Sequence, residues 1–332
     1  MKTNNQASPK TLELFVQQVR YEGRNIQSYV LVKPDSAELP AFTAGAHIDL
    51  HLSNGVVRQY SLCNSPMERH RYVIAVLRDE NGRGGSRAVH DELRVQGSVS
   101  VSVPRNNFEL VSDATKVILL AGGIGVTPLK SMAHQLEAAG VEYELHYCAR
   151  DVGAVAFNAE FKPLLDSKTL QLHFDNGDPS QGLDIEGLLK DQPAAGVHLY
   201  YCGPAGFMRA CAKAAAHWPK GAVHFEHFKV PDRPFEETQG GESTDPGAFI
   251  VEIASDKRRL RVSPSQTIVE VLRHAGITLE TSCEAGLCAT CKIRYLSGEV
   301  DHRDYILSDE EQKGFLTACV SRARSGVLVL DL

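Results

Sequence analysis

The sequence predicts a multidomain protein in which an antiparallel β-barrel, an α/β domain with a parallel sheet and a small C-terminal domain follow one another. Short β-rich runs fill the first part of the chain, and at Lys116 the pattern changes to an apolar strand followed by a helix. Residues 229–246 have few apolar side chains, three prolines and two adjacent glycines, a composition typical of a linker. We therefore divide the 332 residues into 1–110, 111–228, a linker 229–246 and 247–332.

The first domain is predicted to be a small barrel of about six strands. Residues 29–32, 47–52 and 72–77 are rich in β-branched, aromatic and apolar side chains. The dipeptides Asn54-Gly55 and Asn81-Gly82 between such runs are typical of turns.

The second domain alternates strands and helices. A buried-strand run at 117–121 is followed by apolar residues at helical spacing and then by Gly140, a helix-ending residue. Four further strand candidates are separated by helical stretches, the alternation that builds a parallel sheet covered on both faces, and they are residues 143–148, 170–174, 197–201 and 222–225. This pattern indicates a Rossmann-like domain.

The third domain is predicted to contain a hairpin, a helix, a cysteine-rich loop and a final strand. The hairpin comprises residues 249–253 and 260–262, the helix 268–274 and the last strand 327–330. No internal repeat is apparent.

Composition limits the partners and the location. A net charge of −6 and an isoelectric point near 6.1 provide no basic field, which argues against nucleic acid or an anionic membrane as a partner. The polar start at residues 1–6 and the shortness of the longest apolar run indicate no export signal and no membrane span, so we expect a cytoplasmic protein. In a reducing compartment, the eight cysteines favour metal ligation or burial over disulfides.

Four cysteines have the spacing of cluster ligands. Cys283, Cys288 and Cys291 follow C-x₄-C-x₂-C spacing and Cys319 comes 28 positions later, the plant-type pattern for a [2Fe–2S] cluster. A structural zinc site is the alternative, but zinc sites usually present two short-spaced cysteine pairs, and here the fourth ligand is solitary. The remaining cysteines show no such spacing and are expected to be buried as small hydrophobic residues, namely Cys63, Cys148, Cys202 and Cys211.

Two glycine-rich segments are candidate phosphate sites. Residues 122–128 join the apolar strand to the helix, so their backbone can approach a pyrophosphate, although they depart from G-x-G-x-x-G and a plain tight turn is the alternative. Residues 82–86 precede a short helix that Ser86 is predicted to cap, with a solvated turn as the alternative. Two candidate phosphate sites predict two nucleotide ligands. Because a hydride carries two electrons and the cluster takes one, the sequence predicts a flavin between a nicotinamide dinucleotide and the cluster.

Several motifs occur in an order that identifies a resemblance. They are Arg58-Gln59-Tyr60-Ser61-Leu62, Gly84-Gly85-Ser86, residues 122–128, Tyr201-Cys202-Gly203-Pro204, Phe225-Glu226-His227-Phe228 and the cysteine loop. From Leu12 to Leu332 the chain closely resembles the phthalate dioxygenase reductase family. The resemblance implies a ferredoxin reductase-like flavin and nucleotide pair followed by a β-grasp plant-type ferredoxin domain.

The resemblance also implies site residues. For FMN they are Arg58, Gln59, Tyr60, Ser61, Ala75, Val76, Leu77, Arg83, Gly84, Gly85 and Ser86, with Arg58, Ser86 and the two glycine amides at the phosphate. For the nicotinamide dinucleotide they are Gly122, Gly123, Gly125, Thr127, Pro128, Cys202, Gly203 and Pro204. Phe228 is expected against the flavin ring, with structural packing as the alternative, and it joins Thr127 and Cys202 as a candidate catalytic residue.

As a function, the resemblance implies an NADH-dependent reductase that passes electrons through FMN and the [2Fe–2S] cluster to a terminal Rieske non-haem iron oxygenase. Phthalate or a related aromatic compound is the expected substrate of that dioxygenase or demethylase system. The alternatives are an independent flavoreductase with a haem or quinone acceptor and a redox-sensing cluster module. For the choice between NADH and NADPH, Arg150 and Asp151 point in opposite directions.

One position departs from the family pattern. Ala289 follows the second cluster ligand where the family often has glycine. We expect its methyl group to strain the loop or to alter one N–H···S hydrogen bond.

Overall fold

The computed structural model describes residues 11–53, 55–82, 84–191, 193–229 and 247–332. The chain divides into two compact units, Met1–Phe228 and Lys229–Leu332. Arg83 and nearly all of the predicted linker lie outside the described residues. Within the described ranges, no helix has the length and apolar character needed to cross a bilayer.

The first unit begins with the predicted barrel. Its strands are β1 (Thr11–Gly23), β2 (Ile26–Val32), β3 (His47–His51), β4 (Val57–Ser61), β5 (Tyr72–Leu77) and β6 (Ser98–Ser102), with helix α1 (Gly85–Glu92) between β5 and β6. They pair antiparallel in the order β4-β3-β6-β1-β2-β5 around a core that includes Leu14, Ile48 and Ile74. The edges approach each other beyond β4, where the Cys63 N–H donates to the Val73 carbonyl at 2.9 Å.

The start of α1 differs from the sequence prediction. Gly84 is the N-cap residue, with φ of 84°, and the helix begins at Gly85. Ser86 therefore lies inside the first turn, where its hydroxyl accepts a hydrogen bond from the Asp79 N–H at 3.0 Å. The prediction that Ser86 caps the helix is wrong, because glycine takes the left-handed conformation that starts the helix earlier.

The α/β part of this unit is a five-stranded parallel sheet. Its strands are β7 (Lys116–Gly122), β8 (Glu142–Ala149), β9 (Leu170–Phe174), β10 (Val197–Cys202) and β11 (Val223–Glu226), and its helices are α2 (Val126–Ala139), α3 (Lys162–Asp166), α4 (Ile185–Leu189) and α5 (Ala205–Ala214). The order β11-β10-β7-β8-β9 confirms the Rossmann-like prediction. Strand order switches at β7, because β8 and β9 lie on one side of it and β10 and β11 on the other. Ligands of open α/β sheets bind outside the carboxyl ends of the strands at such a switch point.

Barrel and sheet share one hydrophobic core. Ala75 and Cys63 of the barrel pack in the same cluster as Val126, Leu129 and Tyr200 of the α/β part. Because apolar surface from both parts is buried together, the carboxyl ends of β7 and β10 are held against the barrel strands.

The second unit is a mixed sheet covered by one helix. Its elements are β12 (Phe249–Ile253), β13 (Arg259–Val262), α6 (Ile268–His274), β14 (Lys292–Asp301), β15 (Phe315–Thr317) and β16 (Arg322–Leu330). The order is β13-β12-β16-β14-β15, with β12 and β16 parallel and the other pairs antiparallel, which is the expected β-grasp arrangement. Thr267 and Glu270 form a reciprocal capping box that fixes the start of α6.

Candidate functional site

A cation lies across the start of helix α1. Arg58 projects from β4, and its side chain passes so close to Gly85 that a methyl group there would overlap the Arg58 side chain. The Gly84 N-cap offers no side chain to the amides of the first helical turn. A guanidinium beside backbone amides at a helix N-terminus is a donor set that suits a phosphate group.

The other predicted residues of β4 face different surroundings. The Gln59 amide lies 3.1 Å from His47 Nε2, so this side chain takes part in a polar contact of the barrel. Tyr60 packs against the barrel core, and burial raises the pKa of its phenol well above the ordinary value. The side chain of adjacent Ser61 lies instead near Glu226, because successive side chains of a strand point to opposite faces.

Glu226 brings the barrel and the parallel sheet together at one carboxyl group. It ends β11, lies near the Ser61 hydroxyl, and its charge contributes to the raised pKa of the Cys202 thiol at the end of β10. Although the residue is partly exposed, its Oε2 atom is buried without a hydrogen-bond partner among the described residues. Burial raises the pKa of Glu226 to about 8, so this group holds a proton at neutral pH.

Sequence reasoning missed Glu226 as a site residue. Glu226 belongs to the motif around Phe228, and the sequence signal that could have identified it is an acidic side chain at the carboxyl end of a predicted parallel strand. Cys202 is fully buried, and burial raises the pKa of its thiol well above the usual range. That thiol is therefore not a nucleophile at neutral pH.

The glycines of residues 122–128 have two different roles. Side chains at Gly122 or Gly125 would collide with Pro204 and Phe207 or with the Cys202 carbonyl, and one at Gly203 would lie 2.9 Å from the Gly122 Cα atom. These three glycines let two loops pack closely. At Gly123, with φ of 53°, a Cβ atom would meet nothing within 4 Å, so this position leaves open space beside the N-terminus of α2.

Thr127 and Pro128 lie in the first turn of α2 and are buried. The Thr127 hydroxyl donates to the Ile124 carbonyl at 3.0 Å and so holds the glycine loop onto the helix. On the barrel side, Ala75 and Val76 are buried and Leu77 is partly exposed. Phe228 is 38% exposed and is thus not a core residue.

Asp151 has a structural partner. Its carboxylate binds both terminal nitrogens of Arg24 at 3.0 Å and accepts from the Gly153 N–H at 2.9 Å. Arg24 belongs to the turn between β1 and β2, so the ion pair joins the barrel to the sheet, and it lowers the pKa of Asp151. Asp151 consequently gives no indication of NADH over NADPH, whereas Arg150 is exposed.

In the second unit, the sulfur atoms of the four cysteines associate in two pairs, Cys283 with Cys288 and Cys291 with Cys319. The hydrogen bond shared within each pair lowers the pKa of one sulfur, Cys288 or Cys291, and raises the pKa of its partner, Cys283 or Cys319. No group of three or more potential ligands around a single ion is found among the described side chains. Two cysteine pairs would suit a cluster of two irons, with one pair at each iron.

Backbone and hydroxyl groups surround these sulfurs. The N–H groups of Ala285 and Leu287 each donate to Cys283 Sγ at 3.4 Å. Thr290 Oγ1 lies 3.2 Å from Cys288 Sγ. A metal-bound thiolate can only accept a hydrogen bond, so in this pair the hydroxyl would be the donor. Such bonds stabilise a reduced cluster.

The backbone at Ala289 has the left-handed conformation that favours glycine, with φ of 55°. Gly286 in the same loop also has a positive φ, of 70°, and a side chain there would come within 3.0 Å of Asp304. Because alanine carries a Cβ atom, the left-handed backbone at Ala289 costs more free energy than it would at a glycine.

Comparisons with known proteins agree with this arrangement. The family described as 2Fe-2S iron-sulfur cluster binding domain matches residues 251–324. The tert-butanol monooxygenase / tert-amyl alcohol desaturase reductase subunit of Aquincola tertiaricarbonis is 51% identical over 98% of this chain and 97% of its own length. Phthalate dioxygenase reductase of Burkholderia cepacia is 42% identical over 93% of this chain and 94% of its own length.

Solved structures give the same result. One of phthalate dioxygenase reductase, described as modular for electron transfer from pyridine nucleotides to [2Fe–2S], has a TM-score of 0.74 at 40% identity and covers 97% of this chain and 98% of its own. An intact type IV self-sufficient cytochrome P450 monooxygenase has a TM-score of 0.83 at 35% identity, over 97% of this chain and 41% of that protein.

The fold and the cysteine loop define an iron–sulfur oxidoreductase that carries electrons from a pyridine nucleotide to a [2Fe–2S] centre. The cluster domain excludes the zinc alternative. The chain belongs to the family of oxygenase reductase subunits that includes phthalate dioxygenase reductase and vanillate O-demethylase oxidoreductase.

Proposed function

We propose that this chain is the NADH-dependent reductase of a Rieske-type oxygenase, with FMN between NADH and the [2Fe–2S] cluster. The observation that carries the proposal is the junction at Glu226, where a barrel strand suited to a flavin meets the carboxyl ends of a sheet suited to a dinucleotide. FMN held there would supply the exchange between a two-electron hydride donor and a one-electron cluster.

In this proposal, residues of the barrel hold the flavin nucleotide. Arg58 and the amides of Gly84 and Gly85 bind the phosphate, and Ser86 adds a hydroxyl from the first turn of α1. Tyr60 and Ser61 lie along the same strand toward the junction with the sheet. Because the cation and the helix N-terminus are fixed by packing, they select a compact dianion.

Residues of the sheet orient the nicotinamide dinucleotide. The open side of Gly123 and the N-terminus of α2 receive the pyrophosphate, and Thr127 keeps that loop in place. The nicotinamide site is bounded at the end of β10 by Cys202, Gly203 and Pro204. Phe228, which is exposed, provides an aromatic face for it. Glu226 contributes a protonated carboxyl group near Ser61, with its Oε2 atom buried.

The choice of electron acceptor comes from the relatives of this chain. The relatives named as reductase subunits of oxygenase systems support an oxygenase, and we choose the Rieske non-haem iron type acting on phthalate or a related aromatic compound. A haem monooxygenase is the second candidate, since the same architecture forms 41% of a self-sufficient cytochrome P450.

An anaerobic spectroscopic assay tests the proposal. The purified protein is mixed with one equivalent of NADH or NADPH, and flavin bleaching and cluster reduction are followed separately by absorbance and by the electron paramagnetic resonance of the reduced cluster. We expect NADH to reduce both centres, and NADPH to act much more slowly. The reduced protein is then mixed with a purified Rieske oxygenase, a cytochrome P450 or a benzoquinone.

Fast oxidation of the reductase cluster by the Rieske oxygenase supports the proposal. The Cys283→Ser variant is the control, because transfer that needs the cluster stops in this variant, whereas direct flavin oxidation by a quinone continues. Fast transfer to the haem protein alone would favour the second candidate. Absence of flavin from protein that was purified and refolded with FMN would contradict the proposal altogether.

A further inference from the structure

We propose that Lys130 is a positioning residue that locks the flavin-binding strands of the barrel against the helix that carries the dinucleotide loop. The inference rests on the proposed function for the identity of the two ligands. Lys130 lies in α2, four residues after the start of that helix, and is only 4% exposed. A buried lysine is rare unless its charge is fully paired.

The ammonium group has three polar neighbours, two by hydrogen bonds and one by an ion pair. Lys130 Nζ lies 3.1 Å from the Cys63 carbonyl oxygen, 2.9 Å from Glu160 Oε2 and 3.2 Å from His134 Nε2. It also lies 4.9 Å from the centre of the Phe157 ring. Burial and the nearby cation lower the pKa of His134, which keeps its ring neutral and able to accept.

The role of Lys130 follows from the position of the Cys63 carbonyl, which accepts its hydrogen bond. Cys63 comes just after β4, and its backbone also pairs with Val73 of β5, so it ties together the two strands that carry the predicted flavin contacts. The next helix residue repeats the contact, since the Ser131 hydroxyl donates to the Asn64 carbonyl at 3.0 Å. Two consecutive residues of α2 thus hold one turn of the barrel.

A second connection runs through Glu160. This carboxylate pairs with Lys130 and also with Arg20 of β1, at 3.2 Å. The ammonium group is therefore bound to the barrel directly, and again through an acidic side chain of the α/β part. Hydride transfer requires donor and acceptor atoms at a defined separation, and a displacement of about 1 Å can lower the rate about a hundredfold.

The test compares Lys130→Met with Lys130→Arg, Ser131→Ala and the control Lys162→Met in the full-length holoprotein. Lys162 is a surface lysine, 71% exposed, and among the described residues its ion-pair partner is neighbouring Asp166 on α3. In Lys130→Met, Glu160 keeps Arg20 and is 42% exposed, so it is not left as an uncompensated buried charge.

For Lys130→Met we expect unchanged FMN and iron content and a dissociation constant for NADH within about threefold of the original. The rate of flavin reduction at saturating NADH should fall about tenfold to a hundredfold. The long-wavelength charge-transfer absorbance of the NADH–flavin complex should weaken, and cluster reduction by dithionite should stay normal. Lys130→Arg should recover much of the rate, Ser131→Ala should show a smaller loss of the same kind, and Lys162→Met should show none.

A normal flavin reduction rate in Lys130→Met that retains FMN would overturn the inference. A rate loss that merely follows loss of FMN would also overturn it, because that result describes stability only. If Lys130→Met does not fold, Ser131→Ala decides, and a normal rate and normal charge-transfer band in that variant refute the inference. Failure of the unmodified holoprotein to accept electrons from NADH would instead refute the proposed function.

Discussion

Replacing Ala289 by glycine should stabilise the cluster loop. The left-handed backbone, with φ of 55°, costs an alanine about 1–2 kcal/mol, whereas glycine adopts it without that penalty. Glycine also loses more backbone entropy on folding, by about 0.5–1 kcal/mol. The net gain expected for Ala289→Gly is therefore about 0.5–1 kcal/mol, or a rate of cluster loss about two- to fivefold slower.

The matched control is Ala285→Gly in the same loop. Ala285 is buried and does not have a positive φ, so glycine there adds the entropic cost, about 0.5–1 kcal/mol, to the loss of a buried methyl group, about 0.8 kcal/mol, and should destabilise the loop by about 1–2 kcal/mol. Guanidinium-induced bleaching of the cluster absorbance is the appropriate assay, because a melting temperature of a protein with several folding units mixes their transitions. The reasoning would be refuted if the cluster of Ala289→Gly bleached as fast as that of the original protein or faster. It would also be refuted if the bleaching rates of both variants changed in the same direction.

Four further outcomes follow from the site. Cys283→Ser should abolish the cluster spectrum and leave NADH-dependent flavin reduction largely intact; loss of both in well-folded protein would count against two separate units. Arg58→Ala should weaken FMN affinity about tenfold to a hundredfold through loss of one charge-assisted hydrogen bond, and full FMN occupancy after dilution and gel filtration would contradict this. The buried carboxyl group of Glu226 binds its proton more tightly in the folded protein, with a pKa of about 8, so its contribution to apoprotein stability is complete below about pH 4.5 and is lost as pH rises to about 8. Glu226→Gln should reduce that decline, measured by denaturant unfolding followed through the fluorescence of Trp218, the chain's one tryptophan, which lies in the first unit, and an identical pH profile would refute the assignment. Thr290→Val should lower the cluster reduction potential measured by spectroelectrochemistry, whereas Thr290→Ser should not.

Local sequence signals predicted most of the secondary structure. Helix α6 was predicted with the bounds Ile268–His274, and the six barrel strands and the parallel sheet were expected from their periodicity. Strands β14 and β15 were missed, because β14 is mostly exposed and β15 has only three residues, which leaves little alternation to detect. The last strand was placed too late for a related reason, since its polar first half carries no β signal.

Other errors came from turn geometry and from the roles of glycines. Ser86 was expected to cap α1, but Gly84 takes that position. Of the three glycines in residues 122–125, only Gly123 faces open space, whereas Gly122 and Gly125 serve loop packing that no linear pattern could indicate. The boundary between barrel and sheet and the assignments of individual FMN and nicotinamide contacts remain predictions.

The sequence by itself determined the cluster and the order of the domains, because ligand spacing and strand or helix periodicity are properties of short stretches of chain. Only the tertiary structure decided what each charged group contacts. Arg24 binds Asp151 across 127 positions and Lys130 binds the Cys63 carbonyl across 67. Burial of an ion or a carboxyl group depends on which distant surfaces pack over it, and that packing sets the pairing of Lys130 and the proton affinity of Glu226.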